Sequence, residues 1–223
     1  FNKNHFKFFK FSKPIKTLTF IGGGDIMLQA IKIAQNKNFN STVILSPRHA
    51  YEKLPFSNKI LINELKKLKI KYILIDDVNS NSFLKKFRFF KSMALCFGPA
   101  WIFSNKIINK FQFGMFNFNG IPIPNYLGGA HYTWQILNNN KDGGCFIQRI
   151  TNKIDKGEIL SSYNYKLSEK AKIPIDYFKE NLYLSTYFLS NFFDQIVNKD
   201  AFYSYSYETY IEKTKYFPRL NSN

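Results

Sequence analysis

Short apolar runs and amphipathic stretches alternate along the chain. TLTFI (17–21), TVIL (42–45), YILI (72–75) and MALCF (93–97) are compact apolar runs bounded by polar or turn residues, and they read as buried strands. Asp25 to Lys37 repeats apolar residues with helical spacing (Ile26, Leu28, Ala30, Ile31, Ile33, Ala34), and Asn58 to Lys69 does the same (Ile60, Leu61, Leu65, Leu68). Ser80 to Phe90 reads as a short basic helix, and Ser104 to Lys110 as a helix capped by Ser104. Phe113 to Phe118 is a further strand. The stretch SPRHAYEKLPF (46–56) reads as a loop that brings Arg48 and His49 to a strand's carboxyl end. Strand and helix alternating in this way predicts an α/β fold, a Rossmann-like doubly wound, mostly parallel sheet with flanking helices. The turn Gly22-Gly23-Gly24 between the first strand and helix fits that opening.

Farther on, Ala130 to Leu137 reads as a helix, Cys145 to Ile150 as an edge or antiparallel strand, and SSYNYKLSE (161–169) as another strand. Pro174 to Val197 is a long helix whose apolar positions (Tyr177, Leu182, Leu184, Tyr187, Phe188, Phe192, Ile196) suit it to cover the sheet. Residues 1–15, basic and aromatic, read as a leader or a peripheral strand. Residues 16–197 form the domain, and residues 198–223 read as a tail or linker towards a C-terminal domain.

A net charge of +17 points to anionic partners. Arg stands only at 48, 88, 149 and 219, whereas specific nucleic-acid sites favour Arg. The Lys residues are spread out, and Phe, Asn, Ile, Lys and Tyr are abundant together, as A/T-rich codons produce. Charge therefore gives little weight to a dedicated polyanion site. Cys96 and Cys145 lack metal or pairing spacing and read as reduced core residues. With no run of about twenty apolar residues and no basic–apolar leader, the expected location is cytoplasmic.

The chemistry concentrates in Met115 to Gly129, MFNFNGIPIPNYLGG. Asn117 and Asn119 alternate with Phe116 and Phe118, so a strand here points both amides to one face. The word resembles the active-site signature of the folate-dependent formyltransferases, N-x-H-x-S-L-L-P-x-Y-R-G, in register at Asn117, Pro124, Tyr126 and Gly128. A second word, with Asp155, Gly157, Ile159 and Leu160, resembles that family's D-x-G-x-I-L. Asp155 follows Asn119 by 36 positions, the spacing the family keeps between its His and its Asp.

The resemblance implies transfer of a formyl group from 10-formyltetrahydrofolate, as co-substrate and without a metal, to a primary amine. It assigns Asn117, Asn119 and Asp155 to catalysis. Phe97, Gly98, Pro99, Trp101 and Ile154 fall to the folate pocket, and Tyr126 and His131 to the acceptor. Two departures stand out: Asn119 replaces the His, and Leu127 replaces the usual Arg. An amide cannot take and return a proton near neutral pH. Three outcomes stay open: Asp155 and water move the protons, His131 does so, or the protein binds without transferring. Asp25, beside the glycine turn, disfavours a phosphate at that corner. The departures favour an amino-sugar nucleotide or another small amine over initiator tRNA as acceptor. Methionyl-tRNA formylation and a catalytically impaired binding member are the alternatives.

Overall fold

The computed structural model describes residues 6–87, 90–122, 127–128, 131–206 and 216–218. Five parallel strands carry the first half: β2 (Thr17–Gly22), β3 (Asn40–Leu45), β4 (Lys71–Leu74), β5 (Met93–Phe97) and β6 (Met115–Asn119). Beyond β6 the sheet continues antiparallel through β8 (Asp142–Arg149), β9 (Glu158–Lys166), β10 (Phe202–Ser206) and β1 (Phe6–Phe9). The order β1-β10-β9-β8-β6-β5-β2-β3-β4 makes nine strands in one mixed, Rossmann-like sheet. A separate pair joins β7 (Leu127–Gly128) to β11 (Tyr216–Phe217).

Alternation along the strands divides the core into two layers. Leu18, Phe20, Met93, Leu95, Phe97, Phe116 and Phe118 face α1 (Asp25–Asn36) and α7 (Pro174–Asn198), which supply Met27, Ile31, Phe188, Phe192 and Phe193. Ile21, Ala94, Cys96 and Met115 face the other way, against Phe83 of α4 (Asn81–Lys86) and Ile107 of α5 (Asn105–Ile108). Helices on both faces are the doubly wound arrangement. Asp176 starts α7 by accepting from Lys172 N at 3.0 Å and Ile173 N at 3.2 Å.

The structure corrects several local expectations. SPRHAY is not a loop: α2 (Pro47–Tyr51) forms because Ser46 Oγ accepts from His49 N, and Pro47 stands at a first-turn position where its missing N–H is harmless. Ser104 occupies the cap position of α5, but its Oγ has no partner among the described residues; its backbone N–H donates to Asn79 Oδ1 instead. Residues 6–9 form β1 at the sheet edge, paired with β10. The stretch expected to begin a tail supplies β10, because Phe202 and Ser204 alternate inward while Tyr203 stays exposed. Phe6 and Phe8 pack edge-on against Tyr205 and Tyr203 across the β1–β10 pair.

This topology fixes where a ligand can enter. From β2 the chain runs outward through β3 and β4, then returns to lay β5 and β6 on the opposite side of β2. Ligands of open α/β sheets bind at the carboxyl ends beside such a reversal. The turn there is tight: Gly22 has φ of 118°, and a Cβ on it would fall 2.1 Å from Phe97 O. Phe97 and Phe118 stack with centroids 5.3 Å apart and lock the ends of β5 and β6 together.

Candidate active site

β6 delivers Asn117 and Asn119 to the carboxyl edge on the same side of the sheet as Met115. Both are half-buried, and Asn117 Nδ2 donates to Asn119 Oδ1 at 2.8 Å. Asn117 Oδ1 is buried without a partner among the described residues. A buried acceptor left unsatisfied is costly in free energy unless a ligand or water meets it.

Asp155 arrives from the turn between β8 and β9. Its backbone is left-handed, with φ of 54°. Gln148, buried and directly opposite Asn117 in the β6–β8 register, holds that turn. Its Nε2 donates to Asp155 O at 3.1 Å and Gly157 O at 2.9 Å. Gly157 must lack a side chain, since a Cβ would lie 1.7 Å from Arg149 O. The Asp155 residue is open to water overall, yet partial enclosure of the carboxyl raises its pKa above the ordinary carboxylate range, with Lys156 opposing.

Two cavities meet here. The larger, about 530 Å³, is lined by the glycine turn, Arg48, His49, Phe97, Gly98, Asn117, Asn119, Gly128, His131, Gln148 and Asp155. The smaller, about 150 Å³, is lined by Pro99, Trp101, Ile102, Phe103, Ile150 and Ile154 together with Asn117, Gln148 and Asp155. Asn117, Gln148 and Asp155 are therefore common to both walls. Trp101 is held by its Nε1 donating to Asp76 O at 2.7 Å.

The expected site residues divide accordingly. Asn117, Asn119 and Asp155 come together. Pro99, Trp101 and Ile154 share the small cavity, whereas Phe97 and Gly98 line the large one. His131, the first residue of α6 (His131–Leu137), also lines the large cavity. Its Nε2 is buried without a partner among the described residues, and burial lowers its pKa to about 4, so the ring is neutral near pH 7. Tyr126 lies outside the described residues.

Asp25 proves to be occupied: its two carboxylate oxygens accept from Phe56 N at 2.9 Å and Ser57 N at 3.1 Å. It braces the segment carrying Lys53 and Pro55, which also line the large cavity. Sequence reading missed Gln148. Its one signal was a polar residue within the CFIQRI run, and only strand pairing places it opposite Asn117. His49, packed against Gly23 and with Ser46 Oγ 3.2 Å from its Nδ1, is held below its ordinary pKa chiefly by burial.

Among the described residues no group of His, Cys, Asp and Glu could hold a metal ion, and no helix is long and apolar enough to cross a membrane. Burial raises the thiol pKa of both cysteines, to about 12 at Cys145, so neither is an activated nucleophile.

Comparison with known proteins places these features in context. No protein-family profile matches the chain. Over 169 residues it is 30% identical to the bifunctional polymyxin resistance protein ArnA of Wigglesworthia glossinidia brevipalpis, covering 69% of this chain and 25% of that protein. It is 23% identical over 159 residues to the methionyl-tRNA formyltransferase of Malacoplasma penetrans (strain HF-2), covering 69% of this chain and 49% of that one. The match thus spans a quarter to a half of these curated relatives. Among solved structures, WlaRD, a sugar 3N-formyl transferase crystallised with dTDP and 5-N-formyl-THF, superposes with a TM-score of 0.71 at 19% identity, over 94% of this chain and 72% of that one. An N-formyltransferase from Helicobacter canadensis in complex with folinic acid and dTDP-3-aminofucose gives 0.70 at 19% identity over the same shares. At that identity the superpositions speak for the fold.

Proposed function

The chain belongs to the formyltransferase family, and from that premise we propose that it transfers a formyl group from 10-formyltetrahydrofolate to the primary amine of an amino-sugar nucleotide. The observation that carries this reading is the meeting of two cavities at Asn117, Gln148 and Asp155. A transfer between two bound molecules needs both to reach one point, with donors and a proton carrier there.

The small cavity, at about 150 Å³, suits one end of the folate co-substrate, its pterin ring, with the rest of that molecule lying outside it. Pro99, Trp101, Ile102, Phe103 and Ile154 give the cavity wall flat and apolar surface, Arg149, Thr151, Asn152 and Lys153 add polar groups, and Asn117, whose Oδ1 is unpartnered among the described residues, lines it too. Bound there, the folate supplies the formyl carbon. The large cavity suits the acceptor: Arg48 and Lys53 line it and can meet an anionic group, while Glu52, Asp155 and Asp25, the last with its oxygens held by two backbone N–H groups, supply carboxylates for the amine and hydroxyl groups of a sugar.

In the reaction the acceptor nitrogen forms a bond to the formyl carbon, and the formyl bond to the folate nitrogen breaks. The proton that the amine loses ends on that folate nitrogen. Negative charge gathers on the formyl oxygen, and the Asn117–Asn119 amide pair supplies the N–H donors that meet it. Asp155 takes the amine proton and returns it, and its raised pKa suits that role. Neutral His131 faces the acceptor.

The test is direct. Purified protein with 10-formyltetrahydrofolate and dTDP-3-aminofucose should yield the N-formylated sugar nucleotide by mass spectrometry. A second reading, a binding member that no longer transfers, is favoured by Asn119 alone. It would be supported by folinic acid binding without turnover on that sugar nucleotide or on initiator methionyl-tRNA.

A further inference from the structure

Two separate contacts tie residues 216–218 to the segment that follows the Asn117 strand. β11 pairs in parallel with β7, Tyr216 opposite Leu127 and Phe217 opposite Gly128. One turn into α6, Trp134 Nε1 donates to Pro218 O at 2.8 Å, and its ring centroid lies 5.5 Å from that of Phe217. β7 lies just before α6 and Trp134 lies within it, so residues 216–218 grip the chain on both sides of His131.

That grip has work to oppose. A helix of seven residues is too short to hold its own shape in water, and a two-residue strand pair is weaker still. One side of α6 is anchored elsewhere, through Tyr132 and Ile136 against Leu167, Ala171 and Tyr177. The His131 end carries a buried Nε2 with no partner among the described residues, and release of that nitrogen to water favours moving the end outward. Gly128 and His131 line the large cavity, while no described residue of 127–137 lines the small one.

We propose that residues 216–218, through Trp134 and β7, clamp the acceptor wall: they hold Gly128 and His131 against the large cavity and set acceptor affinity without acting on the folate pocket. Trp134 and Phe217 are positioning residues in this scheme. The proposal rests on the large cavity being the acceptor site.

The experiment uses the full chain carrying Trp134→Phe, which keeps a ring but loses the N–H, and Trp134→Phe with Phe217→Ala. Titration with dTDP-3-aminofucose should show affinity weakened about five- to tenfold in the double variant, the scale of one hydrogen bond and one ring contact. Folinic acid affinity should stay within about twofold of wild type, well below the loss of one hydrogen bond. Hydrogen exchange followed by mass spectrometry should show faster exchange across 127–137, with α1 and β5 unchanged. The exchange arm decides the clamp even if the sugar nucleotide proves to be the wrong acceptor and wild type ignores it. Unchanged exchange at 127–137 overturns the proposal, and so does a parallel loss of folinic acid and acceptor affinity, which marks general damage.

Discussion

Asn117 gives one of its two side-chain N–H groups to Asn119, Nδ2 to Oδ1 at 2.8 Å, across one strand repeat of β6. The pair is a rigid amide unit with donors but no titratable proton. An imidazole at position 119 would restore a proton carrier beside Asn117 and at the wall shared with Asp155. Asn119→His is therefore expected to raise kcat, by up to about 10²-fold, the lower end of what a general acid–base supplies. Steady-state rates with dTDP-3-aminofucose measure it. A fall in kcat would mean that the Asn119 amide has a role imidazole cannot fill.

In the proposed reaction Asp155 carries the proton. Its carboxyl pKa is raised by partial burial, with Lys156 opposing. Deprotonated carboxylate is the active base, so kcat/KM should rise with pH through a midpoint above that of an ordinary carboxylate. Asp155→Asn should lose about two to four decades in kcat and flatten that limb. A pH–rate profile that keeps its acid limb in the Asn variant would remove Asp155 from the mechanism.

Much of this architecture was legible in the chain, and the exceptions share a cause. TLTFI and MALCF announce β2 and β5 because both faces of those strands are buried: Leu18, Phe20, Ile21 and all five residues of MALCF sit in the core, and buried Thr19 pairs its hydroxyl with Ser92. Asn117 and Asn119 could be placed on one face by alternation alone. What stayed hidden depends on distant partners. Phe202 to Ser206 is a strand only because β9 and β1 flank it. Gln148 matters only through its register opposite Asn117. The clamp joins residues 84 apart in the Trp134–Pro218 bond, which no local pattern encodes. The helix at Pro47 is different: Ser-Pro is a start signal readable from sequence, outweighed by the polar run around it.

Gln148 sets the Asp155 turn through two carbonyls, at 3.1 and 2.9 Å. Gln148→Leu keeps the volume and removes the donors, leaving the carbonyl of buried Gly157 and that of Asp155 without this partner. A loss of about 1–3 kcal/mol of stability is expected, together with a fall in kcat and a shift of the acid limb. Gln148→His, which keeps one N–H, should recover part of both. Chemical denaturation and the pH–rate profile read the two effects separately, and an unmoved acid limb in the Leu variant would leave Gln148 a purely structural residue.

Gly157→Ala tests the same turn from its other side. The added Cβ would meet Arg149 O at 1.7 Å, a backbone atom that cannot step aside. Either the β8–β9 connection shifts or the fold loosens. A destabilisation of at least about 2 kcal/mol is expected by thermal or chemical unfolding. Activity should fall more than the folded fraction does, because Asp155 moves with the turn. A variant of wild-type stability and rate would show that the turn has room the structure does not display.

His131 gives stability its own pH dependence. Burial holds its pKa at about 4 in the folded chain, against an ordinary 6.5 when exposed. As pH falls below 6.5 the unfolded chain takes up a proton there and the folded chain does not, so stability drops progressively between about 6.5 and 4 and then levels off. Paired carboxylates such as Asp176 also lose stability towards acid, so the diagnostic quantity is the difference between wild type and His131→Phe. The slope of unfolding free energy against pH should be shallower in the Phe variant through that window and equal to wild type above pH 7. The imidazole resonances of His131 should likewise fail to titrate near 6.5. An imidazole that titrates there would mean that the α6 end opens to water, and would weaken the case for an acceptor wall held shut by residues 216–218.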